Sequence, residues 1–249
     1  SSSPLVAQLL YNRGVSARDV PAFLDSNAFN APDPFILPDI QKAVNRILAA
    51  IRRREIIGVF GDFDVDGVTA TAVLIEGMEK LGARTVQYIP DRVGEGHGLS
   101  ADGIASLRDQ GASLAITCDC GISDLGEAEK AAALGVDLIV TDHHVPLATL
   151  PRALAVVNAK RRDSKYGFTE FAGVGIAFKL MQALHQGWNT STWLEGLLEL
   201  VALGTVADLA PLTGENRILV RRGLRQMKQT RRQGLFSLAA VSEIKLEKV

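Results

Sequence analysis

The sequence predicts an α/β fold, a mainly parallel sheet with helices on both faces, preceded by a short helical extension. Three observations lead there. From residue 41 onward, short apolar runs alternate with stretches of helical periodicity, the rhythm of repeated strand–helix–strand units. The runs are continuously apolar, as strands must be when crossover helices cover both sides of a parallel sheet. The residues that follow the runs are acids and histidines, and in such sheets ligands bind at the carboxyl ends of the strands.

Taken in order, residues 5–24 read as two short helices around an Asn12-Arg13-Gly14 turn. Pro32, Pro34 and Pro38 follow, so residues 1–38 form an extension wrapped on a main domain of residues 39–249. Residues 41–54 are an amphipathic helix, and IIGVF at 56–60 is a buried strand bounded by Gly61. Helices are expected over 67–81, 101–110 and 124–134, and strands over 84–89, 113–118, 136–141 and 154–158. From about Gly173 the chain is helical, and the closing SEIKLEKV is also helix-like.

Composition excludes several classes. No run approaches the roughly 18 apolar residues of a membrane span. Ser1-Ser2-Ser3-Pro4 opens no basic-then-apolar secretory signal. Cys118 and Cys120 stand two residues apart, which suits neither a disulfide nor a four-ligand zinc site. They read as two reduced thiols on one strand face of a cytoplasmic protein. The net charge is −1, but residues 217–232 hold seven Lys and Arg and no acid. Arg217, Arg221, Arg225, Lys228 and Arg232 recur at helical spacing and would form one basic stripe, suited to a nucleic-acid backbone or simply to solvent.

The chemistry concentrates in four places. Gly61-Asp62-Phe63-Asp64-Val65-Asp66-Gly67 sets three carboxylates at period two, projecting to one side of an extended chain. Side by side they repel unless a hard cation neutralises them. An EF-hand is excluded, because its twelfth position would need Glu and holds Val73. Asp119 follows the strand at 113–118, Asp142-His143-His144 the strand at 136–141, and Asp208 closes the apolar run VALGTVA. Arg92, just past a strand, could hold a phosphate bidentately or pair with Asp91 or Glu95. Gly94-Glu95-Gly96-His97-Gly98 lacks the strand–turn–helix frame of a dinucleotide site and reads as a loop. Gly173-Val174-Gly175 opens a helix whose free N–H groups could receive a phosphate, or whose glycines serve close packing.

In this order, GDFDVDG, TCDCGIS, TDHHVP and VALGTVADLAPL resemble the four motifs of the DHH phosphoesterases. IPDRVGEGHGLS, AVVNAKRR, FAGVGIAFKL and GENRILVRRGL narrow the resemblance to its bacterial RecJ branch, and it covers nearly the whole chain. Cys120 departs from that branch's usual Asn, and Ala159 from its Pro. The resemblance implies a centre of two Mn²⁺ or Mg²⁺ ions, roughly 3.5–4 Å apart, that hydrolyses phosphodiesters. Asp64, Asp66, Asp119, His143 and Asp208 would be its ligands, with Asp119 or Asp208 bridging and Asp62 accessory. His144 would contact a phosphate oxygen, Asp142 would orient the histidines, and Arg92, Asn158, Gly173, Gly175 and Arg217 would contact substrate. The implied activity is 5′-to-3′ exonuclease digestion of single-stranded DNA in repair and recombination. Two other readings stay open: a DHH enzyme acting on oligoribonucleotides or cyclic dinucleotides, and a catalytically silent replication scaffold of the same fold. The branch carries a second, smaller domain after the catalytic one, which these 249 residues do not include.

Overall fold

The computed structural model describes residues 3–25 and 29–246. Two compact units emerge, Ser1–Pro32 and Asp33–Val249. In the first, helices α1 (Pro4–Asn12) and α2 (Val20–Leu24) flank a turn at Gly14, which sits at φ 68°. The second unit begins earlier than the prolines suggest. Leu37 is buried with the main core, so residues 33–38 belong to the main body and not to the extension.

The main body builds α3 (Ile40–Arg53), β1 (Ile56–Phe60), α4 (Val65–Lys80), β2 (Arg84–Tyr88), α5 (Ala101–Asp109), β3 (Ala112–Cys118), α6 (Leu125–Ala133), β4 (Asp137–Thr141) and β5 (Ala155–Val157). Helices α7 (Gly173–Leu184), α8 (Ser191–Glu195), α9 (Leu198–Ala207), α10 (Gly214–Met227) and α11 (Gln233–Val241) follow. The five strands are all parallel, in the order β2-β1-β3-β4-β5. Strand order therefore reverses between β1 and β3, and a crevice opens there at the carboxyl edge.

Side chains alternate between two cores. Ile57, Val59, Leu114, Ile116, Ile139 and Val157 meet Ile47, Val73, Leu74 and Leu180 on one face. Ala115, Leu138, Val140 and Val156 meet Ile104, Leu107, Ala128 and Ala131 on the other. Each fully buried aliphatic side chain contributes about 1.5–3 kcal/mol, which fixes the register that brings the strand ends level. The cysteines depart from the expected shared face. Cys118 lies in the first core and Cys120 in the second, because Asp119 between them adopts a left-handed φ of 64° and breaks the alternation. Among the described residues, no helix is long and apolar enough to cross a membrane.

Two expectations in the helical third need correction. Residues 242–245 are not helical: Glu243 turns left-handed at φ 55°, and Ile244 N–H closes on the Ala239 carbonyl to end α11. Residues 247–249 lie outside the described residues. Arg232 is not on the basic stripe. Helix α10 stops at Met227, and Arg232 turns to the Glu76 and Glu199 carboxylates. The remaining four, Arg217, Arg221, Arg225 and Lys228, do share a groove with Leu212, Val220 and Leu224.

Helices α9 and α10 approach closely at Gly223, where an added Cβ would stand 2.0 Å from the Leu198 carbonyl oxygen and 2.6 Å from Ala202 Cβ. Gly223→Ala gains about 1 kcal/mol of helix propensity, but the forced separation costs about 1–3 kcal/mol or more. A net loss of up to about 2 kcal/mol in urea unfolding is expected. A midpoint at or above the wild-type value would show that the helices part without cost.

Candidate metal centre

The cleft lies at the reversal of strand order. It has a volume of about 450 Å³ and is lined by residues that include Asp62, Asp64, His97, Asp119, Asp124, Asp142, His144 and Asp208. No Lys or Arg is among its described lining residues.

The first motif folds differently from an extended ribbon. Asp64 is the N-cap of α4 and accepts the Gly67 N–H at 2.9 Å, while Asp66 already lies in the first helical turn. Asp62 remains before the helix, buried, with Oδ1 on the Phe63 N–H and Oδ2 2.9 Å from His97 Nδ1. The three acids thus converge through a strand-to-helix turn and not through period-two alternation.

Asp66 is held by a distant part of the chain. Gly173 N–H donates to Oδ2 at 2.5 Å and Val174 N–H to Oδ1 at 2.8 Å, so both oxygens sit on the N-terminus of α7. The helix end expected to receive a phosphate therefore holds one of the protein's own carboxylates. Gly173 is close on its other side too, since a Cβ there would lie 2.6 Å from Asp119 Cβ. Gly175 gives its N–H to the Ala172 carbonyl.

The remaining ligand candidates gather around His143. Its Nε2 is 3.1 Å from Asp119 Oδ1 and 3.9 Å from Asp66 Oδ2, and its Nδ1 is 3.9 Å from Asp208 Oδ2. Asp66, His143 and Asp208 form one set with ligand atoms within 4.8 Å of one another, and Asp119, His143 and His144 form another. Asp119 Oδ1 and His143 Nε2 are buried and make no hydrogen bond among the described residues. Two orphaned buried ligand atoms facing each other are what a cation would satisfy.

Electrostatics point the same way. Burial first, and then the Asp119 charge, push Asp66 up to about 8. Burial, Asp64 and Asp142 do the same to Asp119, also to about 8. These groups cannot all ionise side by side without a counter-charge. Asp142 is different. Burial would raise it, but bonds from the His144 ring and from the His144 and Ile122 N–H groups hold it below the usual range. Asp142 is therefore kept as an anion by its own neighbours. It pushes His144, half-exposed in the cleft, up to about 9.

The outlying site residues fall in several places. Asn158 is fully buried and braces the histidine loop, donating to the His144 carbonyl at 2.9 Å and accepting the Lys160 N–H at 2.7 Å. Both ends of its amide are used inside the fold, and it has no exposed surface. Arg92 is exposed, 5.4 Å above the Phe63 ring. Its expected partners are engaged elsewhere: Glu95 takes the Asp91 N–H and the Tyr88 hydroxyl, and Asp91 the Val93 and Gly94 N–H groups. Arg217 lies away from the cleft, on the α10 groove. His97 was invisible in the sequence: nothing in a Gly-rich loop marks a side chain that returns to Asp62 and lies tilted against the Phe63 ring, centroids 4.2 Å apart.

Comparison with known proteins matches this geometry. The model of the DHH family, N-terminal domain, fits residues 56–205, the span from β1 through most of α9. The single-stranded-DNA-specific exonuclease RecJ of Bacillus subtilis is 42% identical over 241 residues, 96% of this chain and 30% of that protein. RecJ of Escherichia coli is 39% identical over 99% of this chain and 44% of its own length. The chain thus spans under half the length of these relatives. Among solved structures, Thermus thermophilus RecJ with Mn²⁺ superposes with a TM-score of 0.77 at 33% identity, covering 95% of this chain and 33% of that one. An exonuclease RecJ bound to manganese gives 0.73 at 36% identity, over 82% and 52%. With the motif acids gathered at the strand ends and more than half of its residues matched by the family model, the chain belongs to the DHH family.

Proposed function

We propose that this chain is the hydrolytic core of a single-stranded-DNA exonuclease, a phosphodiesterase that uses two Mn²⁺ or Mg²⁺ ions and degrades strands from the 5′ end. The observation that supports this most is the pair of orphaned ligand atoms, Asp119 Oδ1 and His143 Nε2, 3.1 Å apart in a carboxylate-lined cleft. Asp64, Asp66, Asp119, His143 and Asp208 would hold the ions, with Asp62 as an accessory. An all-oxygen and imidazole set suits Mn²⁺ or Mg²⁺ better than softer metals. Such ions lower the pKa of water and neutralise charge on the phosphodiester and its leaving oxygen.

The chain's own groups do the rest. His144, held protonated near neutral pH by Asp142, points a donor at the cleft for a phosphate oxygen. The Asp142 and Asn158 contacts keep that loop from turning away. Arg92 at the rim suits a terminal phosphate, and the basic groove of α10 suits the strand beyond it. The preference for single-stranded DNA rests on the names of the RecJ relatives, and the direction of cleavage on the motif resemblance alone. Digestion of a homopolymer deoxyoligonucleotide against a dinucleotide, with and without Mn²⁺, separates this function from a dinucleotide phosphodiesterase and from a silent scaffold.

Asp119→Asn keeps a residue that tolerates left-handed φ and removes the charge. Turnover on oligonucleotides should fall by more than the 10–100-fold typical of removing a group that only supports a ligand. Wild-type turnover in that variant would sink the assignment. A linked pH effect is expected in chelator. Asp66 and Asp119 keep their protons to about pH 8 when folded but ionise near 3.8 when unfolded, so the folded state binds more protons in that window. Metal-free stability should therefore fall as pH rises from 4 to 8, and Mn²⁺ should flatten the dependence; a flat metal-free profile would contradict it.

The α10 groove carries its own test. If Arg217, Arg221, Arg225 and Lys228 follow a phosphate backbone, oligonucleotide affinity falls with salt by a log–log slope of about −0.7 per phosphate neutralised. Reversing Arg221 and Arg225 to Glu should flatten that slope by about 0.7 for each phosphate the variant no longer neutralises. An unchanged slope would assign the groove to another role.

A further inference from the structure

Helix α10 begins with two buried polar residues that the proposed chemistry does not use. Asn216 has no exposed surface. Its Nδ2 donates to the Glu170 carbonyl at 2.5 Å and to the Pro211 carbonyl at 3.1 Å. Two facing acceptors identify that atom as the amide nitrogen. The segments it joins are distant in the chain. Glu170 lies two residues before Ala172, the N-cap of α7, and the next two N–H groups hold both oxygens of Asp66. Pro211 lies three residues after Asp208, in the loop where Leu209 turns left-handed at φ 57° and Ala210 N–H closes α9 on the Thr205 carbonyl.

Asp66 and Asp208 are the two carboxylates that meet His143 in one candidate ligand set. We infer that Asn216 is a positioning residue for the metal centre: its amide ties the α7 entry to the Asp208 loop and thereby sets the spacing of Asp66 and Asp208. Glu215 anchors the same turn, since it pairs with the fully buried Lys179 of α7 and accepts the Tyr166 hydroxyl at 3.0 Å. A buried pair of this kind holds its two helices in one arrangement, because separating it leaves charges without water. With α10 so fixed, the Asn216 amide has little freedom, and neither do the two carbonyls it holds. The inference rests on the metal reading above, and its failure can be told apart from failure of that reading.

The test is Mn²⁺ binding to the whole chain by calorimetry and by electron paramagnetic resonance, alongside thermal unfolding. Wild type, Asn216→Ala, Asn216→Ser and Gly223→Ala are compared. Asn216→Ala should weaken Mn²⁺ binding by about 10–100-fold, the usual effect of losing a group that orients ligands. Asn216→Ser, with one donor for two acceptors, should lose less. Gly223→Ala disturbs the α9–α10 packing without touching the clasp, so it should lower the melting temperature and leave Mn²⁺ affinity unchanged. At saturating Mn²⁺ the oligonucleotide KM of Asn216→Ala should match wild type. If wild type binds no Mn²⁺, the metal reading itself fails. If wild type binds but both Asn216 variants bind equally well, or Gly223→Ala weakens binding as much, the positioning role is overturned. Should Asn216→Ala not fold, wild-type affinity in Asn216→Ser overturns it alone.

Discussion

Mutual repulsion among carboxylates that the fold forces together is the constraint on which the rest of this structure depends. Asp66 and Asp119 are almost fully buried, Asp64 and Asp208 face the same cleft, and no Lys or Arg lines it among the described residues. Unpaired buried charge is among the costliest features a protein can carry. The surroundings offset it locally. Two N–H groups at the start of α7 hold Asp66, and the Asp142 oxygens are taken up by His144 and backbone N–H groups. Asp119 sits on a left-handed backbone at φ 64°, a conformation that side chains of this type tolerate only at a cost. Within the cleft, Asp119 Oδ1 and His143 Nε2 are left buried without a hydrogen bond, facing each other at 3.1 Å.

The sheet explains why the site can exist at all. A parallel sheet ordered β2-β1-β3-β4-β5 brings the ends of β1, β3 and β4 level, and the motif residues follow those strands at once. The helical third then returns across the sheet. It supplies Asp208 from the end of α9 and the N-terminus of α7 from beyond β5. Acidic and basic functions are kept apart, the acids at the strand ends and the cations along α10. That separation is how a net charge of −1 would be compatible with the proposed nucleic-acid substrate.

Much of this was legible in the sequence, for reasons that are physical. Continuous apolar runs such as IIGVF and DLIVT mark strands because burial on both faces leaves no alternation, and the acids that follow them then fall at one edge. Local backbone reversals were not legible. Period two put Cys118 and Cys120 on one face and kept the three motif acids extended, but the left-handed turn at Asp119 and the onset of α4 at Val65 undid both. Helical spacing carried Arg232 onto the basic stripe because nothing local announces that α10 ends at Met227. Long-range partners were out of reach as well. That Gly173 would grip Asp66, Asn158 the histidine loop, and His97 the Asp62 carboxylate depends on tertiary proximity that no spacing along the chain encodes.

That this gathered charge is a cation site is tested most directly by anomalous diffraction from crystals of the chain soaked in Mn²⁺ and measured near the manganese absorption edge. The expected result is anomalous density bounded by Asp64, Asp66, Asp119, His143 and Asp208, and its disappearance in Asp119→Asn crystals. Manganese density confined to other acidic surfaces, with the cleft between β1 and β3 showing none, would contradict it.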